Sequence, residues 1–172
     1  KNNINFFRGP SNNVLKRWND CILSFGVDIA IIVDADDLLF DYDVYKKALK
    51  KILNKKFDYK KANKNSITGL FTYIFKSKVI KDIYLKNAQK KIESIGPYLD
   101  RKYKFYSLKL QKSKSIRFTL DYKEDFIFFK KIFSRFSFFE KTNKVIEYLN
   151  KNKSLTKINH FRQNDYLKNQ LK

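Results

Sequence analysis

The sequence has 172 residues, of which 43% are hydrophobic and 17% aromatic, so it can fold around a sizeable core. Its longest apolar run is much shorter than a membrane span and its first ten residues lack a signal-peptide pattern, which predicts a cytoplasmic protein without membrane insertion. The single cysteine, Cys21, excludes an internal disulfide. A net charge of +21 invites a nucleic-acid function, but lysine is abundant along the whole chain, so we expect a solvated lysine-rich surface and no nucleic-acid partner.

The start of the sequence predicts a strand, a turn and a helix. A short apolar segment at residues 4 to 7 is interpreted as the strand, and the sequence RGPS at residues 8 to 11 as the turn. Apolar residues then recur at helical spacing from residue 14 to residue 25. Ser11 is the predicted N-cap of this helix, and Gly26 is predicted to end it.

An uninterrupted run of aliphatic residues at positions 29 to 33 predicts a strand that is covered on both faces. We therefore expect it at the centre of the sheet and not at an edge. A helix follows at about residues 44 to 56, with Asp41 or Asp43 as its N-cap. Nine lysines lie between residues 46 and 64, and we expect them on the solvated face of this amphipathic region.

Carboxylates follow the apolar strand at the point where it leaves the core. The carboxyl ends of strands are where open α/β sheets bind ligands. Strand alternation predicts that Asp34 and Asp36 lie on one side and Asp37 on the other. The first two would then form a pair that can share a divalent cation. The alternative is that these acids only cap the following helix and solvate a turn.

The middle of the sequence alternates between predicted strands and helices. A loop near residues 63 to 66 precedes a long strand at residues 67 to 75, in which Gly69 indicates a bulge or the close approach of a ligand. One or two short helices follow at residues 77 to 94. A further strand is predicted at residues 106 to 110.

The segment from residue 117 to residue 121 predicts a second strand that ends in a carboxylate. Alternation places Arg117, Thr119 and Asp121 on one face and two apolar residues on the other. Asp121 and Glu124 also have the spacing of a capping box, so Asp121 could simply cap the next helix. Helices are predicted at residues 122 to 136, 141 to 150 and 159 to 168.

Four stretches together resemble one family, the sugar-activating cytidylyltransferases that act on acylneuraminate, KDO and spore-coat polysaccharide precursors. The stretches are RGPSNNVLKRW, IIVDADDLLFD, RFTLDYKEDF and KINHFRQND, in the same order as in the family. The resemblance implies a Rossmann-like α/β nucleotidyltransferase sheet in a single domain, residues 1 to 172. It also implies a small excursion at about residues 76 to 112, which the family often uses for homodimerisation.

The resemblance also implies roles for individual residues. Asp36 and Asp121 become the catalytic magnesium ligands, and Asp34 belongs to the same metal-binding set. The implied reaction is attack by a sugar oxygen on the α-phosphate of CTP, with magnesium bound and pyrophosphate leaving. The residues implied to bind substrate are Arg8, Gly9, Ser11, Arg117 and Thr119.

Two departures from the family pattern bear on activity. The family opens with a strand and a loop that cradles the triphosphate, and no residue before Arg8 supplies them. We therefore expect the first strand to be missing from this sequence and the active site to be incomplete. Family members also place a proline shortly after the first metal-binding aspartate, where this sequence has Asp37 and Leu38. The preference for sugar and nucleotide is therefore open.

Two other classes of protein fit part of the pattern. Asp34, Ala35 and Asp36 match the D-x-D metal site of glycosyltransferases that use nucleotide sugars, although such an enzyme does not predict the junction at Asp121. A haloacid-dehalogenase phosphatase is a poorer match, because Leu38 stands where that family has a small polar or β-branched residue. The non-enzymatic alternative is a basic interaction module on the same fold, which predicts salt-dependent binding to polyanions.

Overall fold

A four-stranded mixed sheet forms the centre of the computed structural model, which describes residues 4–53, 57–63, 65–99 and 102–170. The strands lie in the order β1-β3-β2-β4. β3 runs antiparallel to both of its neighbours, whereas β4 runs parallel to β2. The strands are β1 (Ile29–Ile32), β2 (Tyr59–Ala62), β3 (Tyr73–Lys76) and β4 (Phe105–Leu108).

The predicted helices are present, but the helical structure predicted at residues 77 to 94 ends at Lys86. The helices are α1 (Val14–Phe25), α2 (Tyr42–Leu53), α3 (Ser77–Lys86), α4 (Lys123–Phe133), α5 (Thr142–Lys151), α6 (Lys153–Thr156) and α7 (Arg162–Gln170), with a 3-10 turn at Gly96–Tyr98. The cap of α1 is Asn13 and not Ser11, because the Asn13 side chain accepts a hydrogen bond from the backbone N–H of Lys16 at 3.0 Å. Gly26 ends α1 in the left-handed conformation, as predicted. No helix in the described ranges is long and apolar enough to cross a membrane.

Helices cover both faces of the sheet, which is the layering of an α/β fold. Alternate residues of β2 and β3 point to opposite faces, so Tyr59 and Phe75 pack against α1 and α3, whereas Ile74 packs against α2. A third apolar cluster joins α4 and α5 to the segment around Phe118. The predicted α/β class is therefore confirmed.

The prediction that the apolar strand lies at the centre of the sheet is wrong for the part of the chain that the structure describes. β1 pairs only with β3 there, and Ile31 is 43% exposed. The prediction failed because an apolar run reports low polarity and not the number of neighbouring strands. The strand predicted at residues 4 to 7 is also absent, since these residues have no regular structure.

One predicted strand near the site is regular only at its end, and another is irregular. Residues 67 to 72 lie outside β3, and residues 117 to 121 join them through a single bridge between Thr68 and Arg117. Gly69 explains the close contact between the two segments. It has a φ of +90°, and a Cβ there would lie 2.4 Å from the carbonyl oxygen of Phe118. Gly69 therefore admits a neighbouring backbone rather than a ligand.

The lysine-rich region is not one helical face. The four lysines of α2 are exposed as predicted, but Lys60 and Lys61 belong to β2, a strand that the sequence analysis missed. Lys60 is completely buried on the face of the sheet that α2 covers. The prediction of a solvated side chain is therefore wrong for Lys60. Lys55, Lys56 and Lys64 lie outside the described residues.

Candidate active site

The acids after β1 form a tight turn. The backbone N–H of Asp37 donates a hydrogen bond to the carbonyl oxygen of Asp34 at 3.1 Å. The Thr72 hydroxyl contacts both side chains, at 3.1 Å from Asp34 Oδ2 and 3.3 Å from Asp37 Oδ2. The prediction that Asp34 pairs with Asp36 while Asp37 faces away is therefore wrong. Strand alternation applies only to extended backbone, and the chain has already turned.

Asp36 lies close to the carboxylate of Asp121, which comes from a much later part of the sequence. The hydroxyl of Thr119 lies 3.4 Å from Asp36 Oδ2 and 3.1 Å from Asp121 Oδ2. The backbone N–H of Leu120 also donates to the carbonyl oxygen of Asp36 at 3.0 Å, which ties the two segments together. Two carboxylates thus converge on one buried hydroxyl.

Burial and neighbouring charges raise the pKa of two acids of the turn, Asp34 and Asp37. Burial raises the pKa of Asp34, and the charge of Asp36 adds to the shift. Burial, followed by the charges of Asp34 and Asp36, raises the pKa of Asp37 to about 7. The charge of Asp121 contributes as well. Asp34, Asp36 and Asp121 are therefore close enough to disfavour ionisation of Asp37, and the four acids form an acidic cluster in a chain of net charge +21.

Two of the acids fit a magnesium ion. Within the described ranges, no group of three or more His, Cys, Asp or Glu side chains is arranged to hold a metal. Magnesium, however, often binds through one or two carboxylates and takes its other ligands from phosphate and water. Asp36 and Asp121 meet that requirement, whereas the Asp34 carboxylate is directed to Thr72. The assignment of all three as metal ligands stays a prediction.

Arg117, predicted to bind substrate, is 1% exposed and makes its polar contacts within the protein. Its Nε lies 3.1 Å from Asp125 Oδ1, its Nη1 lies 3.2 Å from Gln163 Oε1, and its Nη2 contacts the Asp121 carboxylate. The ring of Tyr166 covers the guanidinium at 4.7 Å. This geometry favours a role for Arg117 in positioning Asp121 over direct contact with substrate.

Asp125 makes the helix cap that the sequence analysis offered as an alternative role for Asp121. Its Oδ2 accepts hydrogen bonds from the backbone N–H groups of Asp121 and Tyr122, each at 3.0 Å. The carboxylate of Asp121 contacts Arg117 and Thr119 instead. The capping interpretation of Asp121 is therefore wrong, because the capping acid lies four residues further along the chain.

The predicted nucleotide turn at residues 8 to 11 contacts α1. A Cβ at Gly9 would lie 2.7 Å from Cγ of Arg17, and Arg17 Nη1 donates to the carbonyl oxygens of Pro10 and Ser11 at 2.8 and 3.3 Å. The close approach at Gly9 is thus already explained by a side chain of this protein. Binding of substrate by Arg8, Gly9 and Ser11 stays a prediction.

The sequence analysis missed several residues that build the site, among them Thr72, Asp125, Gln163 and Tyr166. Asp125 could have been found, because it lies three residues after Tyr122 in the spacing of a capping box. Gln163 lies within the stretch KINHFRQND that resembles the family, but the sequence analysis assigned it no role, and Tyr166 follows that stretch. Both reach Arg117 from a later helix.

A cavity of about 890 Å³ borders the acidic turn. Asp34 and Asp37 line one part of it, and Phe138 and Phe139 line another. Phe139 is 98% exposed, so the cavity has a largely open aromatic rim. Its volume is in the range of small-molecule sites.

The comparisons with known proteins address the fold. No family model matches the sequence. An uncharacterized protein of Methanocaldococcus jannaschii is 27% identical over 173 residues, which cover 95% of this chain and 70% of that protein. The structure is similar to a cytidylyltransferase from Leptospira borgpetersenii serovar Hardjo-bovis, with a TM-score of 0.76, 24% identity, and coverage of 87% of this chain and 67% of that one. The chain therefore has a cytidylyltransferase-like α/β fold of the Rossmann type.

Proposed function

We propose that this protein is a nucleotidyltransferase that transfers CMP from CTP to a sugar or a related surface-polysaccharide precursor. The observation that carries the proposal is the convergence of Asp36 and Asp121 on the hydroxyl of Thr119. The similarity of the fold to a cytidylyltransferase supports nucleotidyl transfer in general. The choice of CTP and of a sugar acceptor rests on the resemblance of the sequence stretches.

In this reaction an acceptor oxygen attacks the α-phosphorus of CTP. A new bond forms between that oxygen and phosphorus, and the bond from the α-phosphorus to the bridging oxygen breaks. Pyrophosphate leaves with the bonding electron pair, and the proton of the acceptor hydroxyl passes to solvent. Asp36 and Asp121 would hold Mg²⁺, which when bound supplies neutralisation of the charge on the phosphates. The protein contributes mainly by fixing these carboxylates in advance, and the Thr119 hydroxyl, which has one proton to donate, lies within reach of both.

The cavity beside the acidic turn is the proposed place for the acceptor. The carboxylates of Asp34 and Asp37 can accept hydrogen bonds from sugar hydroxyl groups, and the exposed ring of Phe139 can pack on the apolar face of a sugar. Lys47 and Lys109 also line this cavity and can attract an anionic substituent. These features suit a polyhydroxylated acceptor of modest size.

The glycosyltransferase alternative receives less support from the geometry. A D-x-D site requires Asp34 and Asp36 to act on the same metal ion. Asp34 is directed to Thr72, whereas Asp36 is directed to Thr119 and so towards Asp121. The second acid beside Asp36 therefore comes from the later junction, which the nucleotidyltransferase hypothesis predicted and the glycosyltransferase hypothesis did not.

The test is release of pyrophosphate by the full-length protein from CTP, and in parallel from UTP, ATP and GTP, with Mg²⁺ and a panel of acidic and neutral sugars. Asp36→Asn and Asp121→Asn should each lower the rate by roughly a hundredfold or more, since each removes one preorganised charge. Circular dichroism should show that both variants fold, because asparagine keeps the shape of the side chain.

Asp82→Asn is the matched control. Asp82 is an aspartate of α3 whose carboxylate pairs with Lys102, outside the acidic cluster. We expect it to leave turnover unchanged. Asp37→Asn is unsuitable as a neutral control, since Asp37 lies within the cluster. Wild-type turnover in folded Asp36→Asn and Asp121→Asn variants would refute the proposal, as would the absence of pyrophosphate release from every nucleotide tested.

A further inference from the structure

Within the part of the chain that the structure describes, the Asp121 carboxylate accepts hydrogen bonds through only one of its two oxygens. Oδ2 accepts hydrogen bonds from Thr119 and from Nη2 of Arg117. Among the described residues, Oδ1 accepts none. A carboxylate fixed through one oxygen presents the other in a defined direction, and the Asp121 side chain is 30% exposed. The orientation of the free oxygen therefore depends on where Arg117 is held.

The C-terminal part of the chain holds Arg117. Asn159, completely buried, donates from Nδ2 to Asp125 Oδ1 at 2.9 Å and to the carbonyl oxygen of Arg117 at 3.3 Å. Gln163 accepts from Nη1 of Arg117 at 3.2 Å and from the Thr68 hydroxyl at 3.3 Å. These contacts link one short segment to both ends of the Arg117 residue, its backbone and its guanidinium.

Aromatic rings complete the enclosure of the guanidinium. The ring of Tyr166 lies 4.7 Å from Cζ of Arg117, and the ring of Tyr122 lies 5.5 Å away. A planar guanidinium between rings, with an acceptor at each nitrogen, has little rotational freedom. Burial, with further contributions from Asp121, Asp37 and Asp34, raises the pKa of Tyr166 to about 12, which agrees with a phenol close to the acidic cluster.

We propose that the segment from Asn159 to Tyr166 belongs to the active site, where it fixes Arg117 as a positioning residue that aims the free oxygen of Asp121 at a divalent cation. Gln163 is the key contact, because it bridges the guanidinium and Thr68. The inference rests on the metal site of the proposed function, but not on the identity of the nucleotide or the acceptor. Residues that orient a metal ligand commonly change affinity for the metal by tenfold or more when they are replaced.

The experiment is a titration of the folded protein with Mn²⁺ as a spectroscopic probe for Mg²⁺, followed by electron paramagnetic resonance, with and without CTP. Asp36→Asn identifies the binding that belongs to this site. Gln163→Leu removes the acceptor for Arg117 and should weaken that binding by about tenfold. Gln163→Glu keeps an acceptor oxygen and should restore affinity to near the wild-type value.

Asn164→Ala changes the neighbouring exposed residue of α7 and should leave Mn²⁺ affinity unchanged. A purely structural role for Gln163 would instead lower the melting temperature of Gln163→Leu and leave its Mn²⁺ affinity at the wild-type value, which would overturn the inference. Wild-type protein that binds no Mn²⁺ in a manner dependent on Asp36 would also overturn it. Protein that transfers no nucleotide, yet binds Mn²⁺ with the expected dependence on Asp36 and Gln163, would refute the proposed reaction and support this inference.

Discussion

Two cations among the described residues are buried, in very different surroundings. Arg117 is 1% exposed and has Asp125, Asp121 and Gln163 as partners for its nitrogens. Lys60 is completely buried, and its Nζ has no hydrogen-bond partner among the described residues. Burial of a charged side chain therefore does not by itself indicate a functional site. The partners of the charge decide whether it organises other groups or is merely tolerated.

Aromatic rings are the principal compensation for Lys60. Its Nζ lies 4.6 Å from the centre of the Phe57 ring and 4.2 Å from that of Tyr106. A desolvated cation–π contact contributes about 2 kcal/mol, whereas an unsatisfied buried charged donor costs more than about 1–3 kcal/mol. Burial, with a smaller contribution from the charge of Lys51, accordingly lowers the pKa of Lys60 to about 8. The lowered pKa indicates that the charged form of Lys60 is less favourable in the folded protein than in water.

The largest expected effect is that of Arg117→Met. It leaves the fully buried carboxylate of Asp125 without its cation, and loss of one partner of a buried pair costs about 3–5 kcal/mol. Urea denaturation should show this loss in the free energy of unfolding. Arg135→Met is the matched control, because Arg135 is exposed and covers only the Tyr148 ring, so we expect a loss of less than about 1 kcal/mol. An equal loss of unfolding free energy in the two variants would contradict the prediction that Arg117 organises its partners.

A smaller effect on the free energy of unfolding is expected for Asp125, which pairs with a cation, and the ordinary helix cap Asp41 is its comparison. Asp125 caps α4 and pairs with Arg117, whereas Asp41 caps α2 by accepting from the backbone N–H of Val44 at 3.1 Å. Asparagine caps a helix as well as aspartate does, so Asp41→Asn should change the free energy of unfolding by only about 0.5 kcal/mol. Asp125→Asn should cost about 2 kcal/mol, since it also removes a charge-assisted contact with Arg117. Thermal unfolding of the two variants tests the difference, and equal losses would contradict it.

The sequence predicted the helices because their patterns are local, whereas the assignment of Asp36 and Asp121 to one metal site came from the resemblance to a family. Gly26 ends α1, Asp41 caps α2, and the alternation of Thr119 and Asp121 with Phe118 places two polar side chains together and an apolar one in the core. These features depend on neighbours within a few residues. The alternation of side chains is present in residues 117 to 121 although this segment is not a regular strand.

The errors arose where distant parts of the chain decide the structure. The four residues of β2 include two lysines, and only pairing with β3 and β4 makes them a strand. Asp37 faces its neighbouring acids because the turn joins it to Thr72, and Gln163 reaches Arg117 from 46 positions away. Long-range contacts of this kind leave no periodicity in the sequence.

The smallest expected effect is that of Lys60→Met, and it has the opposite sign. Methionine keeps the length of the side chain and its contact with the rings but needs no hydrogen-bond partner, so the free energy of unfolding should rise by about 1 kcal/mol at neutral pH. Lys61→Met is the matched control on the adjacent position of β2, which is partly exposed, and we expect no rise there.

The gain in stability of Lys60→Met should depend on pH. The folded protein has a Lys60 pKa of about 8, below the ordinary value of 10.5, so the unfolded chain binds this proton more tightly. Wild-type stability should therefore increase through this group as the pH rises from about 8 towards 10.5, and the advantage of Lys60→Met should shrink over the same range. Chemical denaturation at pH 7, 8, 9 and 10 measures the difference between the two proteins. A loss of stability in Lys60→Met, or a difference that does not change with pH, would show that the rings fully compensate the buried charge.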